Sequence, residues 1–156
     1  MRSTTKLLAT ASATGCAVLL AAGPAIARPR PPPIVAWHVV EETTGNWKCG
    51  AVVDHPAADG LRMRACVVRN SGGDRQAVLI LVNHTGRQVQ IHGETNTYIK
   101  TNLGGRVRCA SSPLQNGFQV GCFSKTQKAK HVSDAHVWMT LNVNGYVKKI
   151  EYTLTD

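Results

Sequence analysis

Four cysteines, Cys49, Cys66, Cys109 and Cys122, are the residues whose number and spacing most clearly imply chemistry. The fifth cysteine, Cys16, lies within residues 1–27, which are interpreted below as a secretory signal that is removed. The four cysteines that would remain are an even number, which is typical of disulfide bonds in exported chains, and they allow three connectivities. Zinc is the competing interpretation, but no two of these cysteines form a C-x-x-C pair and no histidine lies within four residues of any of them. We therefore predict two disulfides, no metal site and no cofactor.

The pairing of these cysteines is predicted from the segments that contain them. Residues 47–53 and 61–67 both alternate in polarity, and a hairpin of the two brings Cys49 within one residue of the position opposite Cys66. A symmetric hairpin about the loop 110–117 places Cys109 directly opposite Cys122, where Cα atoms lie about 4.5 to 5.5 Å apart. The expected bonds are Cys49–Cys66 and Cys109–Cys122, and each stabilises the fold by roughly 2 to 4 kcal/mol.

Catalytic signatures do not occur in the sequence: it lacks a G-x-S-x-G elbow, an H-E-x-x-H motif, a phosphate-binding glycine loop and a dinucleotide fingerprint. A hydrolytic triad would form if folding brought a serine either to Asp54 and His55 or to His136. Four glutamates would allow a sugar-cleaving carboxylate pair, but nothing fixes their separation. We predict a protein that is not an enzyme and keep a small cell-wall or polysaccharide hydrolase as an alternative. The glutamates are Glu41, Glu42, Glu94 and Glu151.

Large aromatic side chains are the expected binding residues, because such rings dominate contact energies at interfaces. Trp138 falls on the polar face of a predicted hairpin, beside Thr140, Lys149 and Glu151. If it is exposed there, Trp138 would stack on a sugar or anchor a partner; alternatively, a second sheet covers that face and Trp138 belongs to the core. The other candidates are Trp37, Trp47, Tyr98, Tyr146 and Tyr152.

Residues 1–27 have the pattern of a secretory signal peptide. Arg2 and Lys6 precede an apolar run over residues 7–22, and small residues at Ala25 and Ala27 match the cleavage rule. The run is interrupted by polar residues and is short for a membrane span, and no other stretch is apolar enough to cross a bilayer. We therefore predict a secreted, extracellular protein without a membrane span.

Removal of residues 1–27 would leave 16 basic and 9 acidic residues, a net charge of +7 over a length typical of one domain. This balance favours an extracellular protein partner or an anionic cell-surface polymer, although charge also serves simple solubility. Specific nucleic-acid binding is not predicted, because the basic residues lack interleaved aromatics. The basic cluster consists of Arg106, Arg108, Lys125, Lys128 and Lys130.

Residues 28–33 form a basic, proline-rich lead, and residues 34–40 after it are apolar and β-branched. We predict a strand over residues 34–40 that either joins the sheet of its own domain or is added to a partner's sheet. The candidate partner-binding residues here are Ile34, Val35, Trp37 and Val39, together with Trp138 from the later hairpin.

The remaining pattern predicts a single all-β domain over residues 34–156. Residues 76–82 show no alternation, which is typical of a strand buried on both faces, and short strands are predicted at residues 88–92 and 98–101. Asn144-Gly145 predicts a tight hairpin turn in which Val143 faces Tyr146. In this register one pair is unfavourable, because the apolar Leu141 lies opposite the charged Lys148. About eight short strands and no convincing helix indicate an antiparallel β-sandwich or small barrel with two disulfides.

The alanine-rich leader that ends in Ala25-Ile26-Ala27, the prolines after it and the four-cysteine β domain resemble small exported β-sandwich proteins of actinobacteria. That group includes inhibitors of hydrolases and adaptor or lectin-like subunits of secreted toxin particles, such as umbrella-shaped assemblies. The resemblance implies binding without catalysis, and it identifies no site residue.

The leading hypothesis is therefore a secreted, non-catalytic binding or adaptor protein that joins a larger extracellular assembly, with its N-terminal strand as the attachment segment. An inhibitor of an extracellular hydrolase is the alternative, with the loop 111–117 as its inhibitory segment.

Overall fold

Two six-stranded sheets pack as a sandwich in the computed structural model, which describes residues 30–99, 102–103, 105–128 and 134–155. A compact unit spans Pro31–Asp156, and the described residues contain no helix. The all-β sandwich with two disulfides is thus confirmed. The signal peptide lies outside the described residues, so that segment and its cleavage stay predictions.

The described residues form twelve strands, and the eight that are at least three residues long match the predicted number. The strands are β1 (Ile34–Val35), β2 (His38–Val39), β3 (Trp47–Cys49), β4 (Val53–Asp54), β5 (Leu61–Arg69), β6 (Arg75–Asn83), β7 (Val89–Ile99), β8 (Asn102–Leu103), β9 (Val107–Leu114), β10 (Gln119–Phe123), β11 (Ala135–Val143) and β12 (Tyr146–Leu154).

Sheet I has the strand order β1-β9-β7-β11-β12, with β8 beside β7, and sheet II has the order β2-β10-β6-β5-β3, with β4 beside β5. All pairings are antiparallel except that of β1 with β9. Residues with period-two spacing from both sheets form the core between them, including Leu79 and Leu81 of β6 and Met139 and Leu141 of β11. Strand β6 is buried on both faces, as predicted, because Val78 and Ile80 lie under a second apolar cluster on the outer face of sheet II.

The hairpin of β11 and β12 has the predicted register. Val143 lies opposite Tyr146, Met139 opposite Ile150 and Trp138 opposite Glu151. The turn residues Asn144 and Gly145 have φ values of 52° and 85°, as the tight hairpin turn requires. The unfavourable pair is also present: Leu141 is fully buried and Lys148 lies opposite it.

Both disulfides form as predicted, but the reason given for one of them is wrong. Cys49 lies directly opposite Cys66 on neighbouring strands of sheet II. Cys109 and Cys122 do not face each other in a hairpin, because β9 belongs to sheet I and β10 to sheet II. Their bond crosses the core between the two sheets, with Cα atoms 5.9 Å apart. The chain between them therefore passes from one sheet to the other.

The predicted strand over residues 34–40 is wrong in one respect, because it is divided into β1 and β2. Strand β1 pairs with β9 in sheet I, and β2 pairs with β10 in sheet II. Between them, the Trp37 indole N–H donates to the Ala110 carbonyl at 2.8 Å. The segment thus crosses from one sheet to the other within its own chain, which is the self-contained alternative.

Two further strand predictions differ from the structure. The segments 88–92 and 98–101 were expected as separate strands, but β7 runs from Val89 to Ile99 without a break and absorbs a bulge between Ile91 and Gly93. Residues 100 and 101 of the second segment lie outside the described residues. The alternating segment 47–53 is divided into β3 and β4, because the chain leaves the sheet after Gly50, whose amide still donates to the Ala65 carbonyl at 2.9 Å, and returns at Val53. A period-two pattern predicts the strand conformation but not where the hydrogen-bonded partner ends.

Candidate binding surface

Trp138 lies on the outer face of sheet I. The odd-numbered residues of β11 are fully buried, and its even-numbered residues, including Trp138, are half-buried. Sheet II packs on the opposite face, so the alternative that a second sheet covers Trp138 is wrong. The polar face predicted for the hairpin is the face that this sheet presents outward.

The Trp138 side chain is held by residues from β7, from β12 and from the connection before β9. Its indole N–H donates to the Tyr98 hydroxyl of β7 at 2.8 Å. The Arg106 guanidinium carbon lies 5.9 Å from the ring centroid and the Lys149 Nζ lies 5.7 Å from it. Cations at this distance are attracted to the indole quadrupole, so the ring is fixed between two positive charges. We define Tyr98, Arg106, Arg108, Trp138 and Lys149 as the Trp138 surface.

Each cation beside the indole also pairs with a carboxylate. Arg106 donates from Nε and Nη2 to the two oxygens of Glu94, at 2.6 and 3.1 Å, and this hydrogen bonding raises the pKa of Arg106. Lys149 lies 2.5 Å from Glu151, and its hydrogen bond lowers the pKa of that carboxyl group. Glu94 is half-buried and the other three side chains are exposed, so these pairs orient the cations more than they stabilise the fold.

A groove of about 190 Å³ crosses the strands next to the Trp138 surface. His92, Glu94 and Asn142 line it together with Arg108. Arg108 is exposed, and among the described residues no carboxylate forms an ion pair with it. Glu94 lies opposite Arg108 in the sheet, but its carboxylate pairs with Arg106, so the surface joins a fixed aromatic ring to a second, exposed cation.

The N-terminal candidates lie away from this surface. Ile34 and Val39 are exposed at 65% and 66%, whereas Val35 and Trp37 are half-buried against the core. Strands β9 and β7 separate Ile34 on β1 from Trp138 on β11. The structure therefore does not bring the predicted partner-binding residues together into one patch.

His55 occupies a structural position. It is 1% exposed, its Nδ1 accepts from the Ala57 amide at 3.2 Å, and its Nε2 lies 3.3 Å from the Leu141 carbonyl. Burial lowers its pKa, which favours the neutral ring. Asp54 points elsewhere and pairs with Arg62 at 3.4 Å, so the Asp54–His55 grouping considered for a triad does not form.

His136 contacts a hydroxyl group, since its Nδ1 lies 2.9 Å from Thr153 Oγ1. Both side chains are on the open outer face of sheet I, beside the Glu151 carboxylate. Within the described part of the chain, no three His, Cys, Asp or Glu side chains are grouped as metal ligands.

The loop considered for hydrolase inhibition is shorter than predicted. Residues 111–114 belong to β9, so the connection to β10 is a turn at Asn116 and Gly117. The Gly86 amide donates to Asn116 Oδ1 at 2.8 Å, and Phe118 after the turn is 52% exposed. The turn is held against the neighbouring loop rather than extended for insertion into a cleft.

No family model matches this chain, and no curated protein matches it. Among solved structures, the chain is similar to the crystal structure of the GAE domain of GGA2p from Saccharomyces cerevisiae, with 9% sequence identity and a TM-score of 0.29. The match covers 68% of this chain and 96% of that chain. At this level of similarity, nothing about function transfers to this chain.

The sequence named Trp138 and Tyr98 among the candidate binding residues and Arg106 in a basic cluster, but it did not indicate that these three residues lie together. Tyr98 reaches Trp138 because β7 pairs with β11, although the two strands are far apart in the sequence. The polar pairing of Trp138 with Glu151 and the nearby Lys149 was visible in the hairpin register, whereas no local signal identifies β7 as the strand on the other side.

Proposed function

We propose that this chain is a secreted, non-catalytic binding or adaptor protein and that the Trp138 surface is its contact with a protein partner. The observation that carries the proposal is the position of Trp138, half-buried on an outer sheet face and held by the Tyr98 hydroxyl between two cations. Trp, Tyr and Arg are the residues that most often supply the binding energy of protein interfaces.

A protein partner fits this arrangement better than a sugar. A sugar stacks on an open ring face and accepts hydrogen bonds from nearby polar groups. Here the indole N–H is already bonded to Tyr98, and Arg106 and Lys149 lie over the ring. Binding to carbohydrate would have to displace these contacts, whereas a protein side chain can pack beside the fixed ring without breaking them.

The partner is expected to present acidic groups. Arg108 forms no ion pair with a described carboxylate, because Glu94 opposite it is bonded to Arg106, and the mature chain would have a net charge of +7. Opposite charges across an interface raise the association rate and exclude like-charged partners. Carboxylates that approach Arg108 would lie in the groove beside Trp138.

An extracellular location is supported by both disulfides, because such bonds persist in oxidising compartments. Among the described residues, no helix is long and apolar enough to cross a membrane. The N-terminal segment is less suited to strand donation than the sequence suggested, because β1 and β2 would have to leave β9 and β10 first. We therefore place the main contact on the Trp138 surface.

The test is to purify the exported protein with its bound partner and to compare variants in the same capture assay. Trp138→Ala and Arg108→Glu should each reduce partner recovery at least tenfold, which corresponds to about 1.4 kcal/mol. Arg87→Glu is the matched control, since Arg87 is exposed on the connection between β6 and β7, away from this surface. Equal recovery with all variants would overturn the assignment. Inhibition of a hydrolase panel that persists in Trp138→Ala would instead support the inhibitor alternative.

A further inference from the structure

Strand β12 is the free edge of sheet I. Its nine residues pair with β11 on one side, and no described residue forms a backbone pair with its other side. The tight turn makes Val143 and Tyr146 a hydrogen-bonded pair, so the amide and carbonyl groups of alternate residues from Val147 point outward. The outward residues are Val147, Lys149, Glu151 and Thr153. Long exposed edges of this kind readily pair with another strand.

We infer that a second copy of this chain occupies this edge, with β12 pairing antiparallel to β12 about a twofold axis at Ile150. This register overlaps the whole of β12, because Ile150 is the central residue of Tyr146–Leu154. It forms four hydrogen-bonded residue pairs, which supply about eight backbone hydrogen bonds. Sheet I then continues through both copies.

Charge complementarity selects this register. With the axis at Ile150, Lys149 of each copy lies opposite Glu151 of the other, and both pairs occur on the outer face. Moving the axis by one residue would place Lys149 opposite Lys149 or Glu151 opposite Glu151, and like charges directly opposite each other are destabilising. The pair Lys149 and Glu151 is already formed within one copy, so the side chains need only exchange partners.

Apolar groups on the same strand support the second copy as the occupant. Tyr146 and Val147 are 64% and 61% exposed, although both belong to a regular strand. In the register above, Tyr146 lies opposite Leu154 of the second copy and Val147 lies opposite Thr153, whereas Ile150 and Leu154 are already buried in the single copy. Pairing would thus cover apolar surface that the single copy leaves in water.

The twofold axis is perpendicular to the sheet, so both Trp138 surfaces would lie on the same face. Three strand spacings and an offset of two residues separate the two indoles by about 16 Å. A partner with two matching sites would then bind more tightly through avidity. This consequence alone rests on the proposed function; the pairing of β12 does not.

The test is a charge-swap cycle read by sedimentation of the mature chain at physiological salt. The wild type should form a dimer, and Lys149→Glu or Glu151→Lys should each weaken it at least tenfold, because two attractive pairs become repulsive. The double variant K149E/E151K should restore the dimer, since it exchanges the charges in both copies. Lys48→Glu is the matched control: it makes the same charge change on the exposed edge strand β3 of sheet II.

Amide hydrogen exchange gives an independent readout. The outward amides of Val147, Lys149, Glu151 and Thr153 should become protected as the protein concentration rises, while the circular dichroism of each variant verifies its fold. A wild type that stays monomeric, or a dimer that both single variants leave intact, would overturn the inference. If Trp138→Ala loses partner capture while its dimer is unchanged, the first result supports the proposed function and the second shows that the pairing of β12 does not depend on it.

Discussion

Cys109 of sheet I and Cys122 of sheet II are bonded through the core, at exposed fractions of 4% and 0%. The bond thus joins the two layers of the sandwich at β9 and β10, which are the strands that pair with β1 and β2 of the N-terminal segment. The Cys49–Cys66 bond, in contrast, joins neighbouring strands on the outer face of sheet II.

Removal of the inter-sheet bond should cost more stability than removal of the bond within sheet II. The two bonds close loops of similar length, with sequence separations of 13 and 17, so the chain-entropy contribution is about 3 kcal/mol for each. Cys109→Ala/Cys122→Ala also leaves a cavity at two buried positions between the sheets, whereas in Cys49→Ala/Cys66→Ala only Cys66 is fully buried and Cys49 is half-exposed. Urea unfolding of the two double variants measures the difference, and equal losses would contradict the argument.

Mild reduction of the folded protein should open Cys49–Cys66 first. Cys49 is half-exposed on the three-residue edge strand β3, where local opening is easy, whereas Cys109 and Cys122 are enclosed between the sheets. Alkylation during a time course with dithiothreitol, followed by mass spectrometry, identifies the order. If Cys109 and Cys122 were labelled as early as Cys49, the core position would not be protective.

Burial of neutral His55 should make the protein less stable as the pH falls. Its pKa in the folded chain is below the ordinary value of 6.5, so the unfolded chain binds more protons. Stability is therefore full above 6.5 and decreases as the pH falls from there through the folded-state pKa. In His55→Gln, the free energy of unfolding should no longer show this pH dependence. His84→Gln changes an exposed histidine and should keep the dependence.

Gly121→Ala should destabilise the fold by about 1 to 3 kcal/mol through overpacking. A Cβ atom at this position would lie 2.8 Å from Val40 Cγ2 and 3.0 Å from Phe123 Cε2, within the apolar cluster on sheet II. Gly45→Ala is the control, because a Cβ there has no atom within 4 Å. Thermal and urea unfolding compare the variants. A loss in Gly45→Ala as large as that in Gly121→Ala would refute the packing explanation.

Tyr98→Phe should cost about 0.5 to 1.5 kcal/mol, because the Trp138 indole N–H loses its acceptor. The indole should also become more mobile, which steady-state and time-resolved tryptophan fluorescence would detect. Tyr146→Phe is the matched control, since Tyr146 is 64% exposed and lies near the hairpin turn, away from the indole N–H. Identical spectra for Tyr98→Phe and the wild type would mean that the hydrogen bond does not hold Trp138.

Local sequence patterns correctly predicted the elements whose structure depends on segments that are neighbours along the chain. The Asn144-Gly145 turn and the alternation on both sides of it determine the β11–β12 register, and the apolar run over residues 76–82 identifies the strand buried on both faces. The cysteine pairs were also predicted, although Cys109–Cys122 forms across the sandwich rather than within a hairpin.

The sequence by itself determined the strand-rich domain, its disulfide pairs and the face of the hairpin that carries Trp138. Tertiary structure decided which strand lies beside that face, because a period-two pattern specifies the side to which a residue points but not its neighbour across the sheet. Tyr98 reaches Trp138 through the pairing of β7 with β11, and Arg106, which precedes β9, reaches it because β9 pairs with β7 on the other side.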